Sequence, residues 1–332
     1  MRSAAGLEPL NILDYKDDPR LSRGTRKFLE GLNSAGGPPL ETMSPVDARQ
    51  VLVDAQASVD VDLSGIDESE KTITADGQTV TLNIVRPKGV TEKLPVFMFI
   101  HGGGWVLGDY PTHKRLVRDL VVESGFAAAF VNYTPTPDAV FPTQIDQIYA
   151  ATKWVAENGD EINVDGENLA VVGNSVGGNM TAVTAIKAIE NGGPNIKALV
   201  MMWPIVDADF ETGSYKQFGK DRFLTTPLMK WMYDLYISDP EKRNDPHASP
   251  LKASDEVLAK FPPTLVQVAE SDILRDEGEA FGRRLDEAGA TAATVRYDGM
   301  IHDFGLLNGL ANEPGVRSLI RHAASELRDR LG

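Results

Sequence analysis

The sequence has no cysteine in its 332 residues. That excludes disulfides, thiolate-bound metals and a cysteine nucleophile, so any nucleophile must be oxygen or nitrogen. Histidine is scarce, with only His101, His113, His247, His302 and His322. Positive charge is in deficit: 33 Lys and Arg stand against 48 Asp and Glu, a formal charge of -15. Such a chain repels a nucleic-acid backbone or an anionic membrane, and neither is expected as a partner. An acidic face that keeps the protein soluble is the plainer reading of this charge. Long apolar runs are missing too; the stretch 198–206 is among the longest, well below the roughly 18 residues a spanning helix needs. Arg2 is followed by Glu8, Pro9, Asp14, Asp17 and Asp18. With no apolar segment there, a signal peptide is not expected and the chain reads as soluble and cytoplasmic.

What is present has an α/β rhythm. From residue 96 onward, short β-branched and aromatic runs alternate with longer amphipathic ones, the order of a mostly parallel sheet covered by helices on both faces. The expected strands are 96–100, 127–133, 169–173, 198–203, 264–269 and 294–297. Two more, 71–74 and 79–85, flank Asp76-Gly77, a strong hairpin turn, and complete an eight-stranded sheet with an antiparallel edge. Apolar residues three and four apart predict helices over 144–157, 176–190, 277–288 and 316–331. A single large α/β domain can reach this length. The expected division is a catalytic core over 69–205 and 250–332, with a cap built from 1–68 and an insertion over 206–249. The insertion holds Phe210, Tyr215, Phe218, Phe223, Trp231, Tyr233 and Tyr236, which either form a lid over a pocket or simply cover the sheet.

Gly173-Asn174-Ser175-Val176-Gly177 fits Gly-x-Ser-x-Gly between an expected strand and an expected helix. In that setting the serine sits on a tight turn, with glycine on either side letting strand and helix approach, and its hydroxyl projects above the sheet. The five letters alone are weak; the strand–helix context carries them. His101-Gly102-Gly103-Gly104-Trp105 directly follows the strand 96–100 and is far rarer. Acyl transfer passes through a tetrahedral oxyanion, and the amides of Gly103, Gly104 and Val176 would supply donors aimed at it. A phosphate cradle is the rival, but neither a P-loop lysine nor Gly-x-Gly-x-x-Gly spacing is present.

A serine needs a base. His322 falls inside the last helix, His247 in a Pro-containing loop, His101 at the head of the glycine loop where it orients backbone, and His113 in the loop beyond. His302 follows the strand 294–297 and the turn Asp298-Gly299, which places it at the carboxyl edge of the sheet near Ser175. Asp272 is the first aspartate past the strand 264–269 and would orient that base; Glu270 and Asp276 are its rivals, Asp276 being at a helix start where carboxylates cap. The order Ser175, Asp272, His302 is the one used in the α/β-hydrolase fold.

With these motifs in register, the chain from about residue 80 onward resembles the hormone-sensitive-lipase-like (bacterial family IV type) esterases of the α/β-hydrolase superfamily. His101 to Trp105 resembles the family's HGGG loop and Gly173 to Asn179 its GDSAGGN turn. Ser249-Pro250-Leu251, Pro262-Pro263-Thr264, the segment from Asp272 to Gly278 and Tyr297 to Phe304 follow in the family's order. The resemblance implies a carboxylic ester hydrolase for short to medium acyl chains, working without metal or cofactor on a small-molecule ester, with homodimers through the last strand and helix. It supports Gly103, Gly104 and Val176 as oxyanion donors and Asp272 as the acid. An amidase or arylformamidase would need the same triad, and a noncatalytic ligand-binding protein is a third reading, although such proteins typically lose the base and His302 is present. Two motifs depart from the pattern. Asn174 stands where the family usually has aspartate, and Val176 where it has alanine. Tyr133-Thr-Pro-Thr-Pro-Asp138 replaces YRLAPE, so that Thr134 removes an arginine anchor, with altered stability or pocket shape expected rather than lost activity.

Overall fold

The computed structural model describes residues 11–332. Arg2, Glu8 and Pro9, at the start of the expected cap segment, lie outside the described residues.

Eight strands form one sheet: β1 (Ile66–Ala75), β2 (Gln78–Pro87), β3 (Leu94–Ile100), β4 (Ala127–Asn132), β5 (Val164–Asn174), β6 (Ala198–Met202), β7 (Thr264–Ala269) and β8 (Ala292–Tyr297). Their order is β1-β2-β4-β3-β5-β6-β7-β8. Only the pairings of β2 with β1 and with β4 are antiparallel. The hairpin turns where expected, because Asp76 and Gly77 both take positive φ, 48° and 76°, as a two-residue hairpin loop requires. Val96 to Ile100 of β3 and all of β6 are buried, so these strands read as continuous apolar runs, the mark of a sheet covered on both faces. β1 extends well beyond 71–74; its outer half, Ile66 to Glu70, is largely exposed and polar, which leaves little apolar signal to find. β5 likewise begins five residues before 169, in the polar stretch Asp165-Gly166-Glu167-Asn168.

The helices are α1 (Arg23–Ser34), α2 (Pro45–Ala57), α3 (Tyr110–Ser124), α4 (Thr143–Asn158), α5 (Val176–Asn191), α6 (Gly213–Phe218), α7 (Thr226–Tyr236), α8 (Asp255–Leu258), α9 (Arg275–Glu287) and α10 (Pro314–Leu331). The core divides across the sheet. Met98, Ile100 and Val171 face α4 and α5, whereas Phe97, Phe99 and Val172 face α3 and α10. One correction concerns α3. His113 lies in its first turn and is fully buried, not in a loop. The helix is started by a capping box between Asp109 and Thr112, with Pro111 just inside. Its buried face includes Arg115 and Asp119, joined at 3.0 Å, and Arg317 of α10 reaches Asp119 at 2.7 Å. Charges on a core face blur the apolar period.

α1 and α2 come from the N-terminal segment, and α6 and α7 from the insertion after β6. The two parts are tied by Asp18, whose buried carboxylate accepts from Arg20 and from Arg222 Nη2, both at 2.7 Å. Burial would raise the Asp18 carboxyl, but the two guanidinium groups hold it below its ordinary value. Among the described residues no helix is long and apolar enough to cross a membrane.

Candidate active site

Ser175 stands between the last residue of β5 and the first of α5, with φ 56° and ψ -120°. A non-glycine residue in such a conformation costs about 1–3 kcal/mol and persists only where the surroundings enforce it. They do so here: its N–H donates to the Met202 carbonyl at 2.8 Å, while a Cβ on Gly177 would strike the Ile100 carbonyl and one on Gly173 the Gly177 carbonyl. The elbow therefore closes only with glycine at both flanks.

The loop after β8 carries His302 back over this turn. His302 Nε2 lies 3.0 Å from Ser175 Oγ, and His302 Nδ1 lies 2.7 Å from Asp272 Oδ2. Asp272 Oδ1 accepts the Leu274 N–H at 3.0 Å, which fixes the carboxylate's plane. All three side chains are 4% exposed or less. Burial alone would lower the His302 imidazole, but Asp272 and Asp303 outweigh it and hold it above its ordinary value. The rivals have other partners. Glu270 Oε2 accepts the Gly299 N–H at 2.8 Å and Asp276 Oδ2 that of Ser214 at 2.8 Å.

The glycine loop leaves β3 beside the elbow, with Gly103 and Gly104 at φ 111° and 62°. The amide N–H groups of Gly103, Gly104 and Val176 donate to no protein acceptor among the described residues. His101 braces this loop: Nδ1 lies 2.7 Å from the Gly102 carbonyl, and its ring stacks on Tyr133 at 4.2 Å. Burial pushes His101 down to about 4, against the pull of the Gly102 carbonyl and Asp109. Burial likewise holds His113 well below its usual range. Neither is fitted to be a base, whereas His302 has both a carboxylate behind it and the serine in front.

The sequence profile of the α/β-hydrolase fold family matches residues 97–306, more than half of the chain. The chain belongs to the α/β-hydrolase family. Within it the hormone-sensitive-lipase-like resemblance holds. This α/β-hydrolase is similar to a thermostable esterase from Pseudomonas putida ECU1011, at 57% identity over 95% of this chain and 99% of that one, with a TM-score of 0.94. An α/β hydrolase of Acanthamoeba polyphaga mimivirus is 36% identical over 91% of this chain and 86% of its own length. Ethyl acetate hydrolase of Pseudomonas putida is 32% identical over 72% of this chain and 76% of its own.

Three features of this site escaped the sequence. Asp303, next to His302, is buried and was given no role. Trp203, with φ 35°, donates its indole N–H to Asp303 Oδ1 at 2.7 Å. Met232 of α7 packs its thioether on Gly104, where a Cβ would collide with it. Its neighbours on α7 also cover the loop: Trp105 stacks on Tyr236 at 4.1 Å and meets Tyr233 edge-on at 5.1 Å. The insertion's aromatics thus both join the core and roof the glycine loop.

Proposed function

We propose that this α/β-hydrolase, an esterase like its relatives, cleaves short- to medium-chain carboxylic esters by double displacement through an acyl-enzyme. Ser175 Oγ attacks the ester carbonyl while His302 Nε2 takes its proton, Asp272 stabilises the imidazolium, and the amides of Gly103, Gly104 and Val176 receive the oxyanion. The imidazolium then protonates the departing alcohol. Water, deprotonated by the same nitrogen, releases the acid. The observation that carries this reading is the unbroken relay, 3.0 Å from Ser175 to His302 and 2.7 Å from His302 to Asp272, beside three amides free to bind an anion. Each such donor contributes about 3 kcal/mol to the transition state. The bulk of Met232 over Gly104 supports a preference for small acyl groups. On a p-nitrophenyl ester the wild type is expected to show a burst of alcohol product, and an organophosphate to modify Ser175. Wild-type turnover by Ser175→Ala would end this reading.

A further inference from the structure

Asp303 bears two costs that the fold does not demand. Its backbone lies in the left-handed region at φ 58°, where glycine would be at ease and a β-carbon is not. Its carboxylate is buried, at 6% exposure, which is unfavourable unless hydrogen bonds replace water. Those bonds are specific. Oδ1 accepts the Trp203 indole N–H at 2.7 Å and the Asn174 amide at 3.3 Å. Oδ2 is left facing His302 Nε2 at 3.9 Å, the same nitrogen that meets Ser175. His302 is therefore flanked by two carboxylates, one hydrogen-bonded to Nδ1 and one held off from Nε2 by its own anchors.

We propose that Asp303 is a positioning residue for His302, a pinned second carboxylate that stabilises the imidazolium formed when Ser175 gives up its proton and keeps that N–H aimed across the site. The inference rests on the triad reading above. As Ser175 Oγ bonds to the carbonyl carbon, its proton passes to Nε2; as the ester C–O bond breaks, the proton leaves Nε2 for the alkoxide. Burial raises the Asp303 carboxyl against the pull of His302, Trp203 and Asn174; it receives no proton at either stage and acts through its charge. Three other titratable groups pack around the pair. Asp272 follows β7 and bonds Nδ1. His113 of α3 reaches Asn174 Nδ2 at 3.4 Å and is kept neutral by burial. Glu277 of α9 interacts with Asp272, and its carboxyl is kept well above its usual range by burial. None of them faces Nε2 as Oδ2 does. A group that only braced the turn would not need a charge. A charge on this side of the imidazole matters because the base works neutral and passes through its cationic form.

The test uses Asp303→Asn, which keeps shape and loses charge, and Asp303→Gly, which also relieves the backbone and covers the case in which the first variant folds poorly. The acid limb of kcat/KM is measured on an uncharged p-nitrophenyl ester, with organophosphate labelling of Ser175 in parallel. Removing a negative charge at this distance is expected to lower the midpoint by about one pH unit in both variants. Relative to wild type, the variants' kcat/KM then gains about tenfold between the plateau and the foot of the limb. If both variants label at Ser175 and turn over with the wild-type midpoint, Asp303 only braces the turn and the inference is overturned. If wild type itself fails to label at Ser175, the triad reading falls, and this inference with it.

Discussion

Asn174 Oδ1 accepts the amide N–H of Gly102 at 3.0 Å, so the residue before Ser175 holds the glycine loop against the elbow. The same side chain donates through Nδ2 to Asp303 at 3.3 Å. Elbow, glycine loop and the turn after His302 therefore meet at one amide. Only a side chain that both accepts and donates can serve an N–H and a carboxylate at once. That explains in local terms why asparagine stands here in place of the aspartate found in the family pattern.

Asn174→Asp tests this. The substitution would set two carboxylates against each other in a buried site, and one would have to take up a proton or move away. Loss of the amide's bonds is expected to cost about 2 kcal/mol and to lower Tm by about 4–6 °C. Unchanged melting would show that the amide is dispensable.

The pH dependence of the wild type follows from His302. Its proton affinity is raised in the folded protein because Asp272 and Asp303 outweigh burial, and in the proposed role as base it would act only when neutral. Activity is therefore expected to be lost as pH falls through a midpoint above the ordinary 6.5 of histidine. Stability runs the other way. The contribution from this group is full below 6.5 and fades as pH rises through the folded value. Asp272→Asn should lower kcat by as much as about 10⁴-fold, because the tautomer is no longer fixed, and should move the acid limb down. A kcat within about tenfold of wild type would assign the orienting role elsewhere.

Arg49 of α2 should anchor the turn that lacks the family's arginine. Its guanidinium donates to the Val106 carbonyl at 2.8 Å, to the Thr136 carbonyl at 3.0 Å and to Asp138 at 3.2 Å. Thr134 is held independently: its N–H donates to Gln147 at 2.8 Å and its carbonyl accepts from Gln144 at 3.0 Å. Anchorage at this turn is thus supplied from the N-terminal segment and from α4. Arg49→Ala is expected to cost about 1.5–3 kcal/mol, seen as a Tm lower by about 3–6 °C. Arg49→Lys should recover only part of it, since a point charge cannot reach three acceptors from one plane. Full recovery by lysine would mean that charge alone matters there.

Much of this site was legible because its signals are local. Ser175 lies in a pattern flanked by a strand and a helix, and the three glycines follow a strand directly. His302 was reachable by elimination among five histidines and Asp272 by its place after β7. Asp303 was not, although it adjoins His302. What gives it meaning is Trp203, 100 residues away, and Asn174, 129 away. Helix α3 was hidden for a related reason: Arg115 and Asp119 look solvent-facing until Arg317 arrives from the far end of the chain. The insertion's aromatics kept two readings open because lid and sheet cover demand the same residues. The contacts of Met232 with Gly104 and of Tyr236 with Trp105 place α7 against both the core and the glycine loop.

That contact yields a prediction about substrate choice. Met232 is 4% exposed and lies on the glycine whose amide would bind the oxyanion, so its side chain limits what can sit beside the carbonyl. Truncation to alanine removes an unbranched, adaptable group and is expected to cost about 2–5 kcal/mol of stability if the space stays empty. A longer acyl or bulkier alcohol group would fill that space. Met232→Ala should therefore lose kcat/KM on acetate esters and gain it on hexanoate or branched esters, by about tenfold in the ratio of the two, as a methylene or two of apolar contact allows. Met232→Leu, similar in volume, should leave the ratio near that of wild type. Were both variants to keep the wild-type ratio at reduced Tm, Met232 would be a packing residue of α7 with no part in substrate choice.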